Sequence, residues 1–240
     1  MKIFPPFSII FCFLSLNISA DPVSEIQTVL MPIREATIAA RVDSVLLHNY
    51  CRIGEKFKRG DLLIELDARK FSILLDRTKA KLSFAEKDYA DKKVLREKRI
   101  SSEWELSKSE FDYNMAKTDY DEALFNCSCC LICAPFDGKT ADLMTREYET
   151  VRNGQPLCRI IDDHQLLAVM NVPIQEKPLT VPGNPVKIRI GKNRIIQGKI
   201  HEVSPIADNR TGTVRIKVLI DNSKGEYSAG LTGVLENGKN

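Results

Sequence analysis

Ala40-Arg41-Val42-Asp43 and Ala134-Pro135-Phe136-Asp137 open two stretches that align without a gap over 28 positions, at a shift of 94 residues from 40 to 134. In that register Ala40, Asp43, Arg52, Glu55, Gly60 and Leu63 fall on Ala134, Asp137, Arg146, Glu149, Gly154 and Leu157. Similar residues coincide as well, with Phe57 on Val151, Lys58 on Arg152 and Leu66 on Ile160. The matches fall on turn glycines and on strand-facing apolar positions. Each half reads as short strands, a turn at Gly60 or Gly154, and then an apolar strand: Leu62-Leu63-Ile64-Glu65-Leu66 in the first, Pro156-Leu157-Cys158-Arg159-Ile160-Ile161 in the second. Neither half carries enough apolar surface to fold alone, so the repeat predicts two halves facing each other across one small sandwich.

The stretch between the halves, from Ala68 to about Ser128, lacks Gly and Pro and is rich in Lys, Glu, Asp and Ala. Phe71, Leu75, Thr78, Leu82, Ala85 and Tyr89 recur at alternating fours and threes, the seam of a two-stranded coiled coil. Beyond Tyr89 the seam meets Lys92 and Arg96, and its register fails near Arg99-Ile100-Ser101-Ser102, which predicts a turn. Ser102-Glu103-Trp104-Glu105 is a capping-box pattern: a serine hydroxyl and a glutamate three residues on can satisfy the orphan amides of a new helix. The second seam runs Leu106, Ser109, Tyr113, Ala116, Tyr120, Ala123 and Cys127. An antiparallel hairpin of about 30 residues per arm makes a rod of roughly 45 Å. A rod inserted between two halves of one small module adds little to that module's core, and its expected use is reach.

Outward from this centre the chain changes character twice. Val186-Lys-Ile-Arg-Ile190, Ile195-Ile-Gln-Gly-Lys-Ile200 and Val214-Arg-Ile-Lys-Val-Leu-Ile220 alternate apolar and polar residues, as half-buried strands do. Pro182-Gly183 and Asn222-Ser223-Lys224-Gly225 mark turns between them, so 163–240 reads as a small antiparallel β-barrel. At the other end, Met1-Lys2 leads into an apolar run from Ile3 to Leu16 and then Asn17-Ile18-Ser19-Ala20-Asp21. That run is too short to span a bilayer as a helix and reads as a signal peptide over 1–20, cleaved after Ala20. The expected product is an extracytoplasmic protein without a membrane span. A formal charge of +3 with 28% charged residues gives no reason to invoke nucleic acid.

Taken together, these blocks resemble the periplasmic adaptor, or membrane fusion, proteins of tripartite efflux and type I secretion systems, the HlyD-like family. The resemblance is carried by Ala39-Ala40-Arg41-Val42-Asp43, by Gly54-Glu55-Lys56-Phe57-Lys58-Arg59-Gly60-Asp61-Leu62-Leu63-Ile64-Glu65-Leu66-Asp67, by Ala134-Pro135-Phe136-Asp137-Gly138, and by Ser204-Pro205-Ile206-Ala207-Asp208 leading into Thr211-Gly212-Thr213-Val214-Arg215. It implies a mainly β fold with an α-helical coiled-coil hairpin: a split lipoyl-like (barrel-sandwich hybrid) module interrupted by the hairpin and followed by a small antiparallel β-barrel. The implied divisions are the signal peptide at 1–20, an N-terminal strand segment at 21–38, the lipoyl-like module at 39–67 plus 130–162, the hairpin at 68–129 and the barrel at 163–240. The resemblance also implies partners: an inner-membrane transporter of RND or ABC type, a TolC-like outer-membrane channel met by the hairpin tip, and further copies of the chain in a ring. Family tips carry Arg, Leu and Ser at spacings of four and seven; Leu95 and Ser102 match the last two, while Asp91 stands at the arginine position. Many members continue into a membrane-proximal domain, to which only Glu25 to Ile38 is expected to contribute here.

The resemblance leaves the cysteines unexplained. Beyond Cys12 they are Cys51, Cys127, Cys129, Cys130, Cys133 and Cys158. An even count in an oxidising compartment suggests disulfides, whose connectivity spacing does not fix. Cys127, Cys129, Cys130 and Cys133 are candidate ligands for a soft metal such as Cu(I) or Zn(II), which makes an exported tether or a cysteine-based metal-handling protein the alternative function. His48, His164 and His201 are scattered singly and make no ligand set. A lipoate or biotin carrier would present its lysine on a tight turn, the place the hairpin takes here, so no cofactor is expected. Enzyme motifs are absent: there is no phosphate loop, no nucleophile elbow and no His-Glu-x-x-His.

Overall fold

The structure, a computed structural model, describes residues 25–236, with the side chains of 177 and 178 outside that description; the expected signal peptide lies beyond it. In chain order the strands are β1 (Gln27–Ala39), β2 (Ser44–Asn49), β3 (Lys56–Phe57), β4 (Leu62–Leu66), β5 (Leu131–Cys133), β6 (Gly138–Leu143), β7 (Thr150–Val151), β8 (Pro156–Pro173), β9 (Pro185–Ile190), β10 (Arg194–Asp208), β11 (Thr213–Asp221) and β12 (Thr232–Leu235). Two helices, α1 (Arg69–Glu97) and α2 (Glu103–Ser128), lie between β4 and β5. Over the described residues the protein is therefore mainly β with two α-helices.

The repeat seen in the sequence is a structural pseudo-twofold. Gly60 N–H donates to the Ala134 carbonyl at 2.9 Å, and its counterpart Gly154 N–H donates to the Ala40 carbonyl at 2.8 Å. Ala134 N–H donates to Asp61 O and Ala40 N–H to Gln155 O, both at 2.9 Å. The paired aspartates do the same with their side chains: Asp137 Oδ1 accepts from Arg59 N at 2.6 Å, and Asp43 Oδ1 accepts from Asn153 N at 2.7 Å. The strand pairs obey the same exchange, β3 with β6 and β7 with β2. Both turn glycines hold φ near +90° (91° and 83°), a conformation that side chains with a Cβ rarely adopt, which is why the repeat is legible at these positions. Each half completes the other's backbone hydrogen bonds, so neither is a finished fold by itself.

A small sheet, ordered β5-β4-β2-β7, faces the lower part of a larger one, ordered β1-β12-β9-β10-β11-β8-β6-β3. Between them lies a core that includes Leu46, Leu63, Ile64, Leu66, Val151, Leu157 and Ile160, each at most 2% exposed. A second core, containing Leu30, Leu166, Ile188, Ile216 and Ile220, fills the rest of the large sheet. There β1 pairs with both β12 and β8, which closes β1-β12-β9-β10-β11-β8 into a circuit of six antiparallel strands. The N-terminal strand, expected to be available to a membrane-proximal domain, is the one that closes this circuit. Likewise, the expected boundary at 162/163 falls inside β8, whose lower half serves the sandwich through Ile38↔Cys158 and whose upper half serves the ring through Ile220↔Leu166. Continuous strands shared by two cores are not visible as a boundary in local composition.

The helices run antiparallel and side by side: Lys81 Nζ pairs with Asp119 at 2.7 Å, the rings of Tyr89 and Tyr113 stack 5.8 Å apart, and Arg96 pairs with Glu103 at 2.9 Å. Every predicted seam residue is buried or half-buried, while the flanking positions are mostly exposed. Its most buried members are small: Thr78, Ala85, Ser109, Ala116 and Ala123. The hydroxyls of Thr78 and Ser109 bond back to carbonyls of their own helix, so neither is left unsatisfied in the seam. Among the described residues no helix is long and apolar enough to cross a membrane.

Candidate functional site

The turn between the helices is a tightly determined structure. At the end of α1, Ile100 N–H donates to Leu95 O and Arg99 N–H to Arg96 O, both at 2.9 Å, and Arg99 takes φ +59°. This is a Schellman ending with arginine in the left-handed position that glycine usually fills. Ser102 then starts α2 with the predicted capping box: Glu105 N–H donates to Ser102 Oγ at 3.2 Å, and Ser102 N–H donates to the Glu105 carboxylate at 2.8 Å. The same carboxylate accepts from the hydroxyls of Ser102 and Ser101 at 2.9 and 3.0 Å. The backbone amide of Ser102, then the two serine hydroxyls, hold Glu105 at about 2, well below the usual carboxylate range.

These bonds decide what the two predicted tip residues can do. Leu95 is half-buried and lends its carbonyl to the helix ending. Ser102 is exposed, but its hydroxyl is engaged in the cap. Exposed apolar surface at the turn comes from residues that sequence periodicity did not single out, Ile100 and Trp104, each 70% exposed. Lys108 lies over the Trp104 ring at 5.5 Å from its centroid and adds positive charge beside that apolar face. The signal that could have found them is an isoleucine and a tryptophan placed where the heptad seam does not need them.

The cysteine cluster sits where α2 hands over to β5. Cys129 and Cys130 are buried, Cys127 is half-buried and Cys133 is exposed. Among the described residues, no three His, Cys, Asp or Glu side chains converge as metal ligands. Burial, with smaller contributions from Cys127 and Cys129, pushes the Cys130 thiol up to about 11. Cys51 and Cys158, by contrast, come together in the sandwich core from opposite halves of the chain.

Between the two cores lies a cleft of about 750 Å³ with a polar ion-paired wall. Lys139 Nζ meets Asp163 at 2.6 Å, Arg34 meets Asp162 at 3.5 Å, and the His164 ring also contacts Asp162. The wall ties β1, β6 and β8 together at the level where sandwich gives way to ring.

A split sandwich with an inserted pair of helices and an attached strand circuit defines a class of protein that recurs in solved structures. A MacA–MexA chimera containing the Pseudomonas aeruginosa MexA α-hairpin domain aligns with a TM-score of 0.78 at 18% identity, covering 88% of this chain and 78% of that one. A putative efflux transporter from Bacteroides eggerthii aligns with a TM-score of 0.72 at 20% identity, covering 88% and 67%. The chain belongs to the RND membrane fusion protein family: the family's barrel-sandwich hybrid domain matches residues 34–163, the sandwich together with its helices. The nodulation protein NolF of Rhizobium meliloti is 23% identical over 235 residues, covering 90% of this chain and 64% of NolF. The multidrug resistance protein MdtA of Yersinia pestis is 24% identical over 214 residues, covering 78% of this chain and 48% of MdtA. The chain thus spans about half to two thirds of the length of these relatives.

Proposed function

We propose that the chain is a periplasmic adaptor that links an inner-membrane transporter, RND in class by its family, to a TolC-like outer-membrane channel. On this reading 1–20 is a signal peptide, the helices at 68–129 form a coiled-coil hairpin, and the six-strand circuit is a small antiparallel β-barrel centred on 163–240. The observation that carries the reading is the reciprocal bonding of the two sandwich halves at the base of the helices, an arrangement that holds a long arm rigidly without the arm contributing to the core. An adaptor of this kind acts by geometry and has no catalytic centre to supply. One rod cannot enclose a conduit, so several copies stand in a ring, their sandwiches side by side and their hairpins forming a palisade. Exposed Phe84 and Phe111 on the outer faces of the helices supply apolar area for that lateral contact. Channel docking is assigned to the tip, with Leu95 and Ser102 shaping it and Ile100 and Trp104 presenting the contact.

A photoreactive residue placed at Leu95, Ile100 or Ser102 in cells that retain the pump tests this. A covalent adduct with an outer-membrane channel is expected from at least one position. Normal expression without any such adduct would overturn channel docking by the tip. The family name of MdtA supports multidrug efflux as the pump's task, and loss of drug tolerance on deletion, restored by the intact chain, is the matching readout.

A further inference from the structure

Cys51 and Cys158 belong to opposite sheets as well as opposite halves. Cys51 follows β2 of the small sheet, and Cys158 lies within β8 of the large one. They are 5% and 0% exposed and pack in the same sandwich core, close enough for the two thiols to influence each other. Each is held in place independently. Asn49 Oδ1 accepts from both the amide and the thiol of Cys51, at 3.3 and 3.0 Å, while Cys158 is fixed by strand pairing opposite Ile38 and Leu143. Near them the hydroxyl of Thr140 is buried without a hydrogen-bond partner.

The pseudo-twofold supplies an internal control. At the symmetry-related positions stand Thr145 and Ile64, both buried and neither containing sulfur. The fold therefore fills the symmetry-related pair of positions without thiols, and two cysteines at this pair are not a requirement of packing. We propose that Cys51 and Cys158 form a disulfide that staples the two sheets, and with them the two halves of the sandwich, across the base of the helical arm. The proposal rests on the extracytoplasmic placement given above, because only an oxidising compartment maintains such a bond.

The oxidant required is a disulfide carrier of the thiol-oxidase class. Cys51 as thiolate attacks one sulfur of the carrier's disulfide, forming a mixed disulfide and releasing the carrier's second sulfur as thiolate. Cys158 then gives up its proton and attacks the Cys51 sulfur, expelling the carrier's remaining thiolate. The two protons of Cys51 and Cys158 end on the carrier's two sulfurs, and two electrons pass to it. The order follows from placement: Cys51 lies past the end of β2, outside the strand ladders, and stays open to the carrier, while Cys158 is set within β8. Since both sulfurs are buried in the closed sandwich, the exchange takes place before the sheets close.

The test needs no variant for its central reading. The full chain is isolated from the cell envelope fraction with free thiols alkylated at lysis, then digested without reductant and mapped by mass spectrometry. The expected product joins the peptide of Cys51 to that of Cys158. Reduction is expected to lower the melting temperature by roughly 5–15 °C, and to leave that of a Cys51→Ala/Cys158→Val double variant unmoved. In a second arm, reduced chain is refolded in glutathione buffer. Recovery there of both cysteines alkylated, or of either joined to Cys129 or Cys130, would overturn the pairing. A link that forms on refolding but is missing from chain taken from cells leaves the pairing standing and overturns the extracytoplasmic placement instead.

Discussion

Ser102 and Glu105 illustrate how little sequence is needed to fix a turn when the bonds are local. The serine hydroxyl takes the Glu105 amide, and the glutamate returns the bond to the serine amide. Replacing Ser102 with Ala should cost about 1 kcal/mol, read from thermal unfolding followed by far-ultraviolet circular dichroism. The cap also sets a pH dependence. Glu105 is held at about 2 in the folded chain against an ordinary 4.5, so its contribution is complete above pH 4.5 and is lost as pH falls toward 2. A Glu105→Gln variant should therefore melt below the wild type at neutral pH and converge with it near pH 2. Such pairs were legible because both partners lie within one helical turn. The exposure of Ile100 and Trp104 was not, because being left uncovered depends on the path of the neighbouring helix.

The elements repeat the lesson over longer distances. The seam between the helices could be read position by position, since a period of alternating threes and fours dictates which side faces the other helix. The two sandwich halves could be matched because left-handed turns at Gly60 and Gly154 leave a mark in the residues themselves. What stayed hidden was non-local pairing: β1 closing the ring against β8 and β12, and the meeting of Cys51 with Cys158. No local pattern encodes which distant strand supplies a neighbour. Leu63 and Leu157 occupy equivalent positions in the repeat, at 2% and 0% exposure within one core. Truncating either to Ala should cost about 2–5 kcal/mol, through lost apolar burial and the cavity left behind. Because each half completes the other, denaturant titration should show both substitutions shifting the same single transition. A first half that unfolds separately in Leu63→Ala would show that the halves are not one unit.

At the scale of the molecule the arm is an insertion whose two ends meet. Leu66 N–H donates to the Cys130 carbonyl at 2.8 Å, and Glu65 lies opposite Leu131 in the ladder of β4 and β5. The sheet therefore continues across the base of the helices as though they were a hairpin loop, and only Ala68 and Phe71 near their start join Cys129 and Cys130 in packing on the core. Loop-closure entropy grows only slowly with length, so the sandwich carries the long insertion at small cost and gains little from it. Residues 70–127 should be replaceable by a short Gly-Ser linker with the β-fold intact. Amide exchange in β4, β8 and β11 should stay as slow as in the full chain, and the melting temperature should change by no more than a few degrees. On the proposed adaptor function, the same variant should lose capture of the outer-membrane channel while keeping any transporter contact made by the sandwich and ring. Rapid exchange throughout β4 and β5 after the excision would mean that the helices help to build the core, and the arm could then no longer be understood as a lever standing on a self-sufficient base.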